Sequence, residues 1–152
     1  MQWTIALLAV VGVLIIATGL GLVIRARSGR TVRLGDTAVC PTSAHPLERY
    51  GVSPEPGASV TLVQYSTEFC SACPGTARVL GGVARDYAGV RHVEVDLTKH
   101  PSLAQELRIS QTPTTLVVDA HGTAVARVGG APRVEQLRAL LDSLVRNDLV
   151  NA

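Results

Sequence analysis

Cys70 and Cys73 stand three positions apart in the hexapeptide Phe69-Cys70-Ser71-Ala72-Cys73-Pro74, and Cys40 is the third cysteine of the chain. Two thiols at this spacing suit three chemistries. They can act as a redox dithiol, in which one thiolate attacks a disulfide and the second thiol resolves the mixed disulfide. They can supply half of a zinc site, or, as soft sulfur ligands, they can hold copper(I). Zinc needs four ligands, usually a second close pair of Cys or His. No such pair is present, and His45, His92, His100 and His121 are scattered and read as ordinary surface histidines. The residue types therefore point first to dithiol exchange without a metal or bound cofactor, with copper(I) carriage as an alternative.

The elements around the pair must position it. Val60-Thr61-Leu62-Val63-Gln64-Tyr65 is a β-branched, apolar run short enough for a buried strand, and the cysteine hexapeptide follows within a few residues. Leu80, Val83, Ala84 and Tyr87 then recur at helical spacing, although Gly81-Gly82 weakens that helix by ~2 kcal/mol relative to alanines. Cys70 thus falls at a strand-to-helix junction. Unpaired backbone N–H groups and the positive end of the helix dipole favour thiolate there, and such motifs reach pKa values of ~3.5–7.5.

Val90 to Asp96 reads as a second strand, with Val93 and Val95 alternating against His92 and Glu94. Pro101 opens a short helix through Leu107. Thr114 to Val118 is a third strand, Asp119-Ala120-His121-Gly122 is turn chemistry, and Thr123 to Val128 returns antiparallel as a fourth. Val134, Leu137, Leu141, Leu144 and Val145 mark one face of a closing helix. A crossover between the first two strands and a tight turn between the last two predict a mixed sheet with helices on both faces. Thr112-Pro113-Thr114 enters the third strand, where a proline cannot join the ladder. Beside a dithiol, this proline is expected to be cis.

Ahead of this domain the composition changes. Hydrophobic residues make up 47% of the 152 residues against 17% charged. Much of that excess lies in Trp3 to Ile24, which has no charged residue and as a helix would span ~33 Å, enough to cross a bilayer. A cleaved signal peptide is the competing reading, but it calls for a charged leader and a small-residue cleavage site after a shorter core. Arg25, Arg27, Arg30 and Arg33 follow the apolar run directly. By the positive-inside tendency they place the following domain in the cytoplasm.

Residues 1–58 carry five basic and three acidic side chains, and residues 59–152 carry nine of each. The basic excess is local, and no nucleic-acid surface is expected. Residues 28–58 gather Gly and Pro and read as a linker with a flexible reach of ~30 Å, in which Val32 and Leu34 could form a short first strand. Cys40 lies there and reads as an unpaired thiol, with a third redox thiol or a link to a partner as the alternative. The expected organisation is a transmembrane anchor with its basic flank over 1–27, a linker over 28–58 and a redox domain over 59–152.

From about Val60 to Val145 the chain resembles the thioredoxin family. Val60 to Tyr65 is similar to its central strand, Cys70-Ser71-Ala72-Cys73 to its active-site motif, Val90 to Asp96 to its next strand, Ile109 to Thr114 to its cis-proline loop, and Gly129-Gly130 to the glycines after its last strand. The resemblance implies a thioredoxin fold preceded by one transmembrane helix. It further implies exchange of disulfides with protein substrates, with electrons from a donor the sequence does not name. Cys70 would be the nucleophile, Cys73 the resolving thiol, and Thr112 and Pro113 the seat of a substrate strand. Phe69 takes the place of the family's usual tryptophan and would cover the dithiol.

Three positions depart from the family. Gln64 replaces its buried acid, leaving water or Glu68 to relay the Cys73 proton. His92 stands where a lysine is frequent, and Pro74 would remove an early helix hydrogen bond. Gln64 also supports a third reading, a redox-inactive binding module. Ser71-Ala72 supplies no cation to over-stabilise the thiolate, which favours a reductase. Family resemblance places such anchored domains outside the cytoplasm, against the arginine flank.

Overall fold

The computed structural model describes residues 2–27, 31–33 and 47–151. Helix α1 (Gln2–Arg27) comes first, and its window Ala6–Val23 has a mean hydropathy of 2.7. By length and composition it can cross a membrane, or serve as a signal sequence.

Five strands form one sheet: β1 (Thr31–Arg33), β2 (Val60–Ser66), β3 (Val90–Asp96), β4 (Thr114–Asp119) and β5 (Ala124–Gly129). Their spatial order is β1-β5-β4-β2-β3, with β2 and β3 parallel and every other pair antiparallel. The mixed sheet predicted from the connections is therefore present. Helix α2 (Cys73–Arg85) makes the β2-to-β3 crossover, α3 (Pro101–Glu106) precedes β4, and α4 (Val134–Asn151) closes the fold. At the β4–β5 turn the Asp119 carboxylate accepts from the backbone N–H groups of His121 and Thr123, which explains why this short turn holds.

Period-two alternation splits the core across the sheet. Val60, Leu62, Val117 and Ala126 face one side, where they pack with Leu80, Val83 and Ala84 of α2 and Leu137, Leu140 and Leu141 of α4. Val63, Tyr65, Val95, Leu116 and Val118 face the other, under Leu103, Leu107 and the segment that carries Leu47, Tyr50 and Val52. Tyr65 donates its buried hydroxyl to the Tyr50 carbonyl at 3.0 Å, tying that segment to the central strand.

The stretch expected as a linker is thus engaged at two places. Thr31–Arg33 pairs along the outer edge of β5, and Leu47, Tyr50 and Val52 find apolar cover beneath the sheet. Its apolar residues are too widely spaced to announce this in one dimension. Leu34 and Cys40 lie outside the described residues.

Candidate active site

Strand β2 ends at Ser66 and α2 begins at Cys73, so the dithiol occupies a short loop between a central strand and a helix start. Within it the Cys70 N–H donates to the Thr67 carbonyl at 3.1 Å and the Cys73 N–H to the Cys70 carbonyl at 3.2 Å. These turns bring the two Cα atoms to 5.4 Å, and the sulfurs are bonded as a disulfide. Cys73 is the first helical residue and only 2% exposed, whereas Cys70 is partly open to solvent.

Pro74 does not cost the hydrogen bond expected of it. It is the second residue of α2, in the first turn, where an N–H has no intrahelical acceptor.

The proline loop meets the dithiol loop directly. Thr67 Oγ1 and Thr112 Oγ1 lie 3.3 Å apart, and the Thr112–Pro113 peptide bond is cis, as the sequence predicts. Pro113 is buried and Thr112 partly so. The Gly130 N–H donates to the Pro113 carbonyl at 2.7 Å, and Thr114 Oγ1 to the Gln111 carbonyl at 2.8 Å. A Cβ at Gly129 would collide with Gln111 Nε2, so glycine there lets the Gln111 amide lie across the end of β5.

Phe69 and Glu68 both stand at the solvent side of this loop. Phe69 is 88% exposed, so its ring projects into water rather than packing over the disulfide as expected. Glu68 is also exposed, and its N–H donates to Thr98 Oγ1 at 3.2 Å.

Behind Cys73 the surroundings are different. Gln64 is fully buried, and its Nε2 donates to the Cys73 carbonyl at 3.1 Å and to Glu94 Oε1 at 3.4 Å. Both partners are acceptors, so the amide nitrogen faces them and its oxygen faces His92 Nε2 at 3.2 Å. His92 must then donate through Nε2, which assigns its neutral tautomer. Burial pulls the His92 imidazole below its ordinary pKa, while the Glu94 carboxylate pulls the other way.

His92 is consequently a half-buried partner of Gln64, behind the redox loop, and not the surface histidine the sequence implies. The scatter of the histidines along the sequence carries no sign of this, because α2 covers that face of β3 only in the folded chain. Thr67 is a site residue with no sequence signal of its own, because its contact with Thr112 joins two loops 45 residues apart.

Residues 54–143 match the family model described as thioredoxin. A curated relative, the thioredoxin Asp f 28 of Aspergillus fumigatus, is 30% identical over 84 residues, covering 55% of this chain and 76% of that protein. Thioredoxin-2 of the malaria parasite, a component of its protein secretion machinery, superposes with a TM-score of 0.51 at 23% identity, over 56% of this chain and 82% of its own. A thioredoxin of Nicotiana alata gives 0.50 at 25% identity, over 56% and 72%. With its dithiol loop, its cis-proline and these similarities, the chain belongs to the thioredoxin family of thiol–disulfide oxidoreductases.

Proposed function

We propose that this protein is a membrane-anchored reductase of protein disulfides, with α1 as a single-pass anchor and the sheet domain as the redox unit. Cys70 attacks a substrate disulfide and forms a mixed disulfide. Cys73 then attacks the Cys70 sulfur, the bond to the substrate breaks, and the substrate leaves as a dithiol while Cys70 and Cys73 are oxidised to the disulfide. A thiol donor, or a partner dithiol, returns the pair to the reduced state. The substrate strand runs past Thr112 and Pro113 as an added β-strand, with Phe69 as an apolar contact at the rim. Glu68 is the carboxylate on the solvent side available for proton exchange.

One observation carries this reading: the asymmetry of the pair, with Cys70 open to solvent beside the proline loop and Cys73 2% exposed behind it. An attacking sulfur must be reachable, and a resolving one need only reach its neighbour. Arginines at 25, 27, 30 and 33 beside the apolar helix support anchoring and a cytoplasmic domain.

Insulin reduction by the full chain in nanodiscs tests the assignment. Cys70→Ser abolishes turnover, and Cys73→Ser accumulates the mixed disulfide. Undiminished reduction by Cys70→Ser refutes it. A fusion reporter after Ala152 reads the side of the membrane.

A further inference from the structure

The core beneath Cys73 holds two hydroxyls that no described residue satisfies in the disulfide state. Thr76 Oγ1 and Thr115 Oγ1 are fully buried and have no hydrogen-bond partner among the described residues, in side chains whose residues are 2% and 0% exposed. Thr76 lies one turn along α2 from Cys73 and shares its inward face with Leu80 and Val83. Thr115 pairs with Gln64 in the β2–β4 register and points to the same side as Val117. Both hydroxyls therefore border the region where Gln64 bonds the Cys73 carbonyl.

Valine has nearly the shape of threonine and would fill either site without stranding a polar atom. Two stranded hydroxyls, one a turn along α2 from Cys73 and one paired in register with Gln64, call for a state in which they are used. A disulfide sulfur is a poor partner. A thiol both donates and accepts, and a thiolate accepts strongly.

We propose that Thr76 and Thr115 are positioning residues for reduced Cys73, giving its freed sulfur hydrogen-bond partners and so favouring the dithiol over the disulfide. The proposal rests on the reading of Cys70 and Cys73 as a working redox couple. With glutathione the balance is one protein disulfide plus two glutathione thiols giving one dithiol plus glutathione disulfide. The Cys70–Cys73 bond breaks and a glutathione–glutathione bond forms. Two electrons and two protons pass to the protein sulfurs.

The test is the equilibrium constant of that exchange, measured on the full chain in nanodiscs by trapping free thiols at defined glutathione ratios. Thr76→Val and Thr115→Val should each lower the dithiol-to-disulfide ratio about fivefold, the worth of one buried hydrogen bond. Thr76→Ser and Thr115→Ser, which keep the hydroxyl, should restore it. The valine variants should also raise the melting temperature of the oxidised protein and lower that of the reduced one, whereas a purely structural role moves both the same way. If either valine variant does not fold, the corresponding alanine variant serves, read as the difference between the two redox states. An unchanged equilibrium in the variants, or parallel shifts of both states, overturns the proposal. A wild-type protein that never equilibrates with glutathione overturns the redox reading itself.

Discussion

The two sulfurs of one disulfide look onto different worlds. Cys70 opens toward an exposed rim of Phe69, Glu68 and the Thr112–Pro113 loop, while Cys73 is sealed against Gln64 and the α2 core. On the open side, contacts are few and side chains are free to meet a partner. On the closed side, every change alters packing or an existing hydrogen bond. A short motif can therefore combine encounter with control, because strand β2 delivers one cysteine to the surface and helix α2 draws the other inward.

Breaking the contrast outright takes the sulfurs themselves. Cys73→Ser should leave Cys70 open to alkylation by iodoacetamide yet end insulin reduction, separating reach from resolution. Next in size is the closed side's packing. Leu80→Ala removes a fully buried side chain from the α2 face and should cost about 2–5 kcal/mol in denaturant unfolding. Tyr65→Phe strands the Tyr50 carbonyl on the opposite face and should cost about 1–2 kcal/mol in the same assay.

On the open side, Phe69→Ala should move stability by no more than about 0.5 kcal/mol while raising the KM for insulin severalfold, since the ring touches little of its own protein. A loss of stability comparable to Leu80→Ala would erase the distinction between the two sides.

The smallest effect is one of pH. The His92 pKa is lowered in the folded protein from its ordinary value near 6.5, chiefly by burial. Between the folded and unfolded values the unfolded chain binds more protons, so stability is present above about 6.5 and declines as pH falls through the folded value. His92→Gln should flatten that part of the profile, measured by unfolding in urea from pH 7.5 to 5.

Much of the fold was legible in the sequence. Strand β3 has the expected bounds, β2 and β4 each run one residue further, and Pro101, Asp119 and Gly122 mark the turns and helix starts expected of them. These signals are local: period-two alternation, helical spacing and proline chemistry all act within a few residues. The cysteine pair and Thr112–Pro113 were legible for the same reason, since each motif is a contiguous string.

What the chain alone determined is the chemistry available, namely two thiols on a strand-to-helix loop, a proline before a strand and an apolar helix long enough to cross a bilayer. Only the tertiary structure decided which sulfur is open, where Phe69 points, and that Gln64, His92 and Glu94 form one network behind Cys73. Burial and partner choice depend on which helix covers which strand. Residues 28 positions apart become neighbours through register, a relation that no local pattern of residues encodes.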